Sequence, residues 1–382
     1  MNKMIYLDHA ATTPVHPEAA EKMFTLMKDV YGNPSSIHTP GREARRILDE
    51  ARMVIAQTIS ANVKEIIFTS GGTESDNLAV LGAALANREK GQHIITTSFE
   101  HHAVLDACKF LEREGFDVTY LDPDINGMIH PEDVKKALRD DTILVTIMFA
   151  NNEVGTIQPI KEIGAILSGH QAYFHTDAVQ AYGTEKLNVN ELQVDFLSAS
   201  SHKINGPKGV GFLYVKSGSR LIPRQYGGEQ EQKKRPGTEN LVSIAGFAEA
   251  AKIAGHSLNE RIAHYRHLKD SFVETFKVKG IDFFINGSLE QSVPHVLNVS
   301  FPGTDVEPLL VNLDLAGIAA SSGSACTAGT LDPSHVLTAM FGKESDRVNN
   351  SVRFSFGLGN TVEQVKEAAE KTAEIVRKLL SD

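Results

Sequence analysis

Ser198-Ala199-Ser200-Ser201-His202-Lys203-Ile204-Asn205-Gly206-Pro207-Lys208-Gly209-Val210-Gly211 links two apolar runs, residues 194–197 and 210–215. Both runs read as short buried strands, and the link between them is small, polar and glycine-rich. Loops of this kind at strand ends are where α/β enzymes place chemistry. Lys203 sits in the middle of it, shielded by its neighbours rather than set in a charged cluster. An amine so held can lose its proton at neutral pH and form a Schiff base with an aldehyde. Taken alone, Lys203 reads more readily as a surface lysine in a turn. The remainder of the chain has to supply the other contacts such an aldehyde needs.

Outward from this loop, β-type runs alternate with helical patterns. Residues 65–69, 93–97, 118–121, 143–149, 172–175, 196–199 and 212–215 are strand-like. Between residues 41 and 59 the apolar positions Ala44, Ile47, Leu48, Ala51, Val54, Ile55 and Ile59 recur at helical spacing. Such alternation predicts a mostly parallel sheet covered on both faces. Near residue 255 the pattern changes. A charged amphipathic helix is predicted over 258–276, half-exposed strands over 296–300 and 351–356, and a final helix from Thr361, where Thr361 and Gln364 have capping-box spacing. We therefore expect a large domain over 16–256 and a small α+β domain made of 1–15 and 257–382, with no Pro/Gly linker between them.

The 382 residues suffice for two or three domains, each with its own core. A net charge of −10 argues against an intrinsic nucleic-acid surface, which needs clustered Lys and Arg. Residues 1–10 are too short in apolar residues to read as a signal peptide, and the longest apolar run, 143–150, is too short to span a bilayer. Two cysteines, Cys108 and Cys326, make neither a disulfide framework nor a four-cysteine metal site. The expectation is a reduced, cytoplasmic protein.

Several strand ends carry groups suited to a phosphorylated aldehyde. Ser70-Gly71-Gly72-Thr73-Glu74-Ser75-Asp76-Asn77 follows a strand and opens a helix, with Thr73 and Asp76 at capping-box spacing. Two glycines at a helix start leave backbone N–H groups open to a phosphate, although a plain capped helix start has the same look. Neither the Walker pattern nor the dinucleotide fingerprint is present, which favours a single phosphate over a nucleotide. Asp177 stands just beyond a buried run. It is either an N-cap or the acid that keeps a pyridine nitrogen protonated. Glu100-His101-His102 closes another strand, so a histidine ring could stack on a cofactor there or simply occupy a cap. No third ligand follows at a useful spacing, which argues against a metal. Cys108 falls on the apolar face of its helix and reads as a core thiol. Cys326 lies in Ser321-Ser322-Gly323-Ser324-Ala325-Cys326-Thr327-Ala328-Gly329-Thr330, a run of small residues expected to be mobile and exposed, spanning about 321–335. Its thiol is either a reactive thiolate or an accidental free cysteine. Arg353 alternates with Val352 and Phe354, so its side chain leaves the apolar face, to be solvated or to fork onto a carboxylate.

Taken together, these motifs resemble the cysteine desulfurases of the NifS/IscS type. The resemblance runs from Tyr6-Leu7-Asp8-His9-Ala10-Ala11-Thr12-Thr13 through Gly32-Asn33-Pro34-Ser35-Ser36, Asn151-Asn152-Glu153-Val154-Gly155 and Arg235-Pro236-Gly237-Thr238 to Arg353-Phe354-Ser355-Phe356-Gly357. It implies an α/β protein of pyridoxal-phosphate fold type I, aspartate-aminotransferase-like, with a mostly parallel seven-stranded sheet in the large domain. By the same resemblance, Lys203 would carry pyridoxal 5′-phosphate as a Schiff base. Asp177 would pair with the ring nitrogen, Gln180 would bond the phenolic oxygen, and His101 would stack on the ring. Gly72, Thr73, Ser200 and His202 would hold the phosphate, joined by Thr238 from a neighbouring subunit of a homodimer. Asn152 and Arg353 would meet the carboxylate of L-cysteine, and Cys326 would accept its sulfur.

The serine-rich loop resembles that of the group carrying Ser-Ser-Gly-Ser-Ala-Cys. His102 and Pro236 depart from the commonest pattern, which has Lys and a small residue there; Pro236 bears on the Thr238 contact. The implied sulfur recipients are acceptor proteins, an iron–sulfur scaffold or a tRNA thiouridylase, with no direct contact to nucleic acid or membrane. The alternatives are a selenocysteine lyase, another fold-type-I enzyme such as an aminotransferase, and a non-catalytic scaffold. Lys203, Asp177 and Cys326 together argue against the scaffold.

Overall fold

The computed structural model describes residues 4–323 and 333–381. Cys326 and the middle of its expected loop lie outside the described residues. The central sheet is built from β2 (Ile66–Thr69), β3 (His93–Thr97), β4 (Asp117–Leu121), β5 (Thr142–Thr146), β6 (Tyr173–Asp177), β7 (Phe196–Ser200) and β8 (Gly211–Val215), preceded in the chain by β1 (Ile5–Tyr6). Its order is β2-β8-β7-β6-β5-β3-β4. Six strands run parallel, and β8 is antiparallel to both β2 and β7. The reversal of β8 follows from the loop after β7. Residues 201–210 are too few for a crossover helix, so the next strand can only return antiparallel.

Helices cover both faces of this sheet: α1 (Pro17–Asp29), α2 (Thr39–Thr58), α3 (Gly72–Ala86), α4 (His102–Arg113), α5 (Pro131–Ala137), α6 (Ile160–Leu167), α7 (Val189–Leu192) and α8 (Leu241–His256). One core lies under α2, α6 and α8 and another under α3 and α4. On α2 the periodic positions Ala44, Ile47, Leu48, Ala51 and Ile55 are all buried. Arg52 on the same helix is buried too. Its guanidinium forks onto Glu231 at 2.7 and 2.5 Å, which keeps both charges satisfied. Cys108 is a core thiol, and burial pushes it up to about 12.

A third apolar core joins Ile5 and Leu7 to residues from 265 onward. It contains α9 (Leu258–Lys279), β9 (Phe284–Asn286), β10 (Val296–Ser300), α10 (Val306–Leu315), β11 (Ile318–Ala319), β12 (Ser351–Ser355) and α12 (Val362–Ser381), while α11 (His335–Phe341) packs Val336, Leu337 and Met340 into the core under α2, α6 and α8. The sheet order here is β12-β10-β9, while β11 pairs with β1. The expected capping box is formed. Thr361 N–H donates to Gln364 Oε1 at 3.2 Å, and Gln364 N–H donates to Thr361 Oγ1 at 3.3 Å.

One expectation fails here. β10 and β12 are buried on both faces, not half-exposed. Leu297, Val299, Val352 and Phe354 face α9 and α12. The alternating polar residues face the rest of the chain: Asn298 donates to the carbonyl of Glu153 at 3.2 Å, and Ser355 accepts the N–H of Ala10 at 2.8 Å. The polar half of the alternation marks an internal interface, not water. Among the described residues no helix is long and apolar enough to cross a membrane.

Candidate active site

Where the parallel strands end at their carboxyl edge, the loops after β2, β3, β5, β6 and β7 enclose a cavity of about 300 Å³. It is lined by Gly72, Thr73, His101, Asn152, Asp177, Gln180, Ser200, His202, Lys203 and Arg353, together with Ala10, Ala11, Asp76, Met148 and Gly323. Eleven sequence positions were expected at the site apart from Cys326. All but Thr238 converge here. Thr238 is exposed outside this lining, on a segment pinned to the start of α3 by Arg235 and Glu74 at 2.9 Å.

Lys203 ends the single turn that follows β7. Its Nζ donates to the carbonyls of Ala10 at 2.5 Å and Ala11 at 2.9 Å, which come from the far end of the chain. The amine is thereby aimed into the cavity and held half-buried. Across from it, Asp177 closes β6. One carboxylate oxygen takes the N–H of Val179 at 2.9 Å, which leaves the group facing the cavity. Burial raises its pKa to about 6, against the lowering effects of that N–H and of the Lys203 charge.

Behind Asp177 lies a cluster that sequence reasoning missed. Asp76, read there as part of a capping box, is instead turned inward and fully buried. The N-cap of α3 is Gly71, with no side-chain cap bond, so the first-turn N–H groups stay open. Burial and the charges of Asp177 and Glu100 push Asp76 well above the usual carboxylate range. Its Oδ1 lies 3.6 Å from Nε2 of His175, which contacts Ser198 Oγ at 3.0 Å and Thr146 Oγ1 at 2.8 Å. Glu100, also fully buried, is raised to about 8 by burial and accepts N–H of Met148 at 2.8 Å. An acid one turn into a helix that opens at a strand's carboxyl end was the available signal for Asp76. It looks the same as a cap.

His101 caps α4, its Nδ1 accepting the N–H of Ala103 at 3.1 Å. That bond places the ring proton on Nε2. Burial first, then the Lys203 charge, lower its pKa to about 4, so a neutral ring faces the cavity. Gln180 donates to the carbonyl of Ala10 at 3.0 Å, and its Oε1 lies 3.3 Å from Nε2 of His295, which orients the amide. A Cβ at 72 would sit 2.8 Å from Val179 Cγ2, so any larger residue there would force that side chain to shift. Gly72, Thr73, Ser200 and His202 also line an adjoining outer cavity of about 350 Å³ with Lys208. An open helix start, a hydroxyl and a cation suit an anion.

Arg353 is buried rather than solvated. Its Nη1 donates to the carbonyl of Asn152 at 2.8 Å and its Nη2 pairs with Asp8 at 3.0 Å. Nε of Arg353 and Oδ1 of Asn152 are buried without a hydrogen-bond partner among the described residues. Both residues line the same cavity: the unspent N–H of Arg353 suits a small zwitterion's carboxylate, and the unspent oxygen of Asn152 suits its ammonium. Asp8 escaped the sequence reading because nothing local ties it to Arg353.

The cavity thus offers an amine, an opposed buried acid, a neutral ring, an anion cradle and a guanidinium. Comparisons with known proteins agree with this chemistry. The family model described as Aminotransferase class-V matches residues 5–367. A Bacillus subtilis (strain 168) protein bearing the name IscS 1 is 58% identical over 98% of this chain and 99% of its own length. The cysteine desulfurase IscS of Dictyoglomus turgidum (strain DSM 6724 / Z-1310) is 47% identical, covering 99% and 96%. Among solved structures, a NifS-like protein superposes with a TM-score of 0.92 at 36% identity, covering 98% of this chain and all (100%) of that one.

Proposed function

The chain belongs to the class-V aminotransferase family and is a cysteine desulfurase, and we propose that the Lys203 cavity is where it takes sulfur from L-cysteine, with Cys326 as acceptor. The observation carrying this reading is that Lys203, Asp177 and Arg353, remote in sequence, line one cavity. The family's cofactor is pyridoxal 5′-phosphate, and the residues present fit it: a lysine, an acid facing the cavity and an open helix start beside a hydroxyl. When bound, it supplies an electron sink for charge developing at the substrate's Cα.

In this reading Asp177 holds a proton on the ring nitrogen, and burial makes that pairing strong because no water competes. Gln180, oriented by His295, offers its remaining amide hydrogen to the phenolic oxygen, and His101 supplies a flat neutral wall. The first-turn N–H groups at Gly72 and Thr73, with Ser200 and His202, hold the phosphate, joined by Thr238 of a second subunit. Arg353 and Asn152 orient the substrate carboxylate. Lys203 carries the Cα proton. Cys326, as thiolate, attacks the substrate sulfur: an S–S bond forms, the substrate's C–S bond breaks, and the carbon skeleton takes up protons and leaves as L-alanine. The persulfide then passes to an acceptor protein, an iron–sulfur scaffold or a tRNA thiouridylase. Support for a homodimer comes from Phe24, Met27, Tyr31 and Ile37, large apolar side chains exposed on α1 and the loop after it.

Cys326→Ala tests the acceptor. The variant should keep the visible absorption of the bound cofactor yet release no sulfide from L-cysteine in the presence of a reductant. Normal turnover would sink the assignment.

A further inference from the structure

The segment bearing Cys326 is joined to the described structure at two feet, residues 321–323 and 333–335. At the first, Ser321 exchanges backbone hydrogen bonds with Arg353, at 2.6 and 3.2 Å, and Gly323 N–H donates to Ser321 Oγ at 3.1 Å. Gly323 has φ +94, and a Cβ there would lie 2.6 Å from Oε2 of Glu153, so only glycine packs against that carboxylate. At the second foot, Ser334 Oγ donates to the same Oε2 at 2.5 Å while accepting the N–H of Leu337 at 3.1 Å to start α11. One oxygen atom is therefore bonded by the second foot and closely packed by the first.

Glu153 itself is fixed. Its N–H donates to Asn151 Oδ1 at 2.8 Å and its carbonyl accepts from Asn298 at 3.2 Å. It is fully buried, where a carboxylate is costly and an apolar side chain would fill the space more cheaply. The residue before it is Asn152, whose carbonyl holds Arg353.

We propose that Glu153 is a positioning residue for sulfur transfer: its carboxylate bonds Ser334 at one foot of the Cys326 segment and packs against Gly323 at the other, beside the wall that holds the substrate carboxylate. Acceptor and substrate then share one reference point, Glu153 beside Asn152. The proposal rests on Cys326 being the acceptor. A bland alternative is that Glu153 only stabilises the start of α11, and the two readings separate by which step responds.

The holoenzyme and its Glu153→Ala and Glu153→Gln variants are mixed with L-cysteine. One readout is the cofactor's absorbance change and its half-saturating cysteine concentration; the other is single-turnover persulfide on Cys326, trapped by alkylation and read by mass. Glu153→Ala should slow persulfide formation on the order of 100-fold, as small misplacements of reacting groups do, while the absorbance response stays within about twofold. Glu153→Gln keeps an acceptor oxygen for Ser334 and should recover most of the rate. Equal losses in both readouts, or no loss in the second, overturn the proposal. If Glu153→Ala does not hold its cofactor, Ser334→Ala removes one foot's bond alone, and a wild-type persulfide rate in it also overturns the proposal. A parent enzyme that turns over without persulfide on Cys326 removes the acceptor assignment itself, a failure distinct from any variant result.

Discussion

Asp177 and Asp76 form the floor of the cavity with Glu100 behind them, each within eight residues of a strand end, whereas Asn152 and Arg353, backed by Asp8 and Glu153, form a wall of it, Asp8 and Arg353 standing 345 positions apart in the chain. Floor and wall both bury carboxylates, and they treat the charge differently. On the floor, three acids crowd together with a neutral histidine: burial raises the pKa of each, and repulsion from neighbouring carboxylates adds to it at Asp76 and Glu100. Such a cluster stores a proton. On the wall, charges are paired: Arg353 sits against Asp8, and its charge partly offsets the burial of Glu153. Such a pairing holds a geometry. The difference separates proton handling under the ring from orientation of the substrate and, by our inference, of the sulfur acceptor.

Removing the wall's cation should do the most damage. Arg353→Leu takes a charge-assisted contact from the substrate and strands Asp8, and a bond of that kind is worth about 1.5–3 kcal/mol, so kcat/KM for L-cysteine should fall about 10- to 100-fold, chiefly through KM. A loss confined to kcat would show that Arg353 belongs functionally with the floor.

The floor should answer in pH dependence. Folded Glu100 keeps its proton to about 8, whereas the unfolded chain releases it near 4.5, so stability contributed by this group is present below 4.5 and declines as pH rises through 8. Buried His175, held neutral down to about 3, acts in the other direction only below 6.5. Denaturant unfolding of Glu100→Gln and its parent between pH 6.5 and 8 therefore isolates the acid, and the variant should show the flatter slope. Identical slopes would place the stored proton on Asp76.

The smallest effect is expected outside both regions. Thr361→Ala opens the capping box of α12 and should cost about 1 kcal/mol of stability, with desulfurase activity unchanged. An activity loss matching the stability loss would mean that the wall depends on the packing of the whole small sheet.

The two regions also differ in how far they could be read from residues alone. Lys203, Asp177, His101 and Gly72 each stand beside an apolar run, so strand, loop and chemical group are seen together in a few letters. Asp76 sits in the same kind of context yet was misread, because a cap and an inward acid share one spacing. Arg353 was seen to leave the apolar face, but its destination was open between water and a carboxylate. Burial of β10 and β12 on both faces closed that choice. Glu153 gave no local sign of its contacts with Gly323 and Ser334, which come from two further segments of the chain.

The sequence by itself determined the alternation of strand and helix, the chemical group at each strand end and, through the shortness of the link from Ser200 to Gly211, the one strand that must run backwards. These are properties of neighbours along the chain, where covalent connection sets distance. Tertiary structure alone decided that the carbonyls of Ala10 and Ala11 meet Lys203, that Asp8 pairs with Arg353, and that one oxygen of Glu153 bonds Ser334 where the glycine at 323 leaves room for it. Those contacts depend on how two cores pack against each other, and no local spacing encodes that.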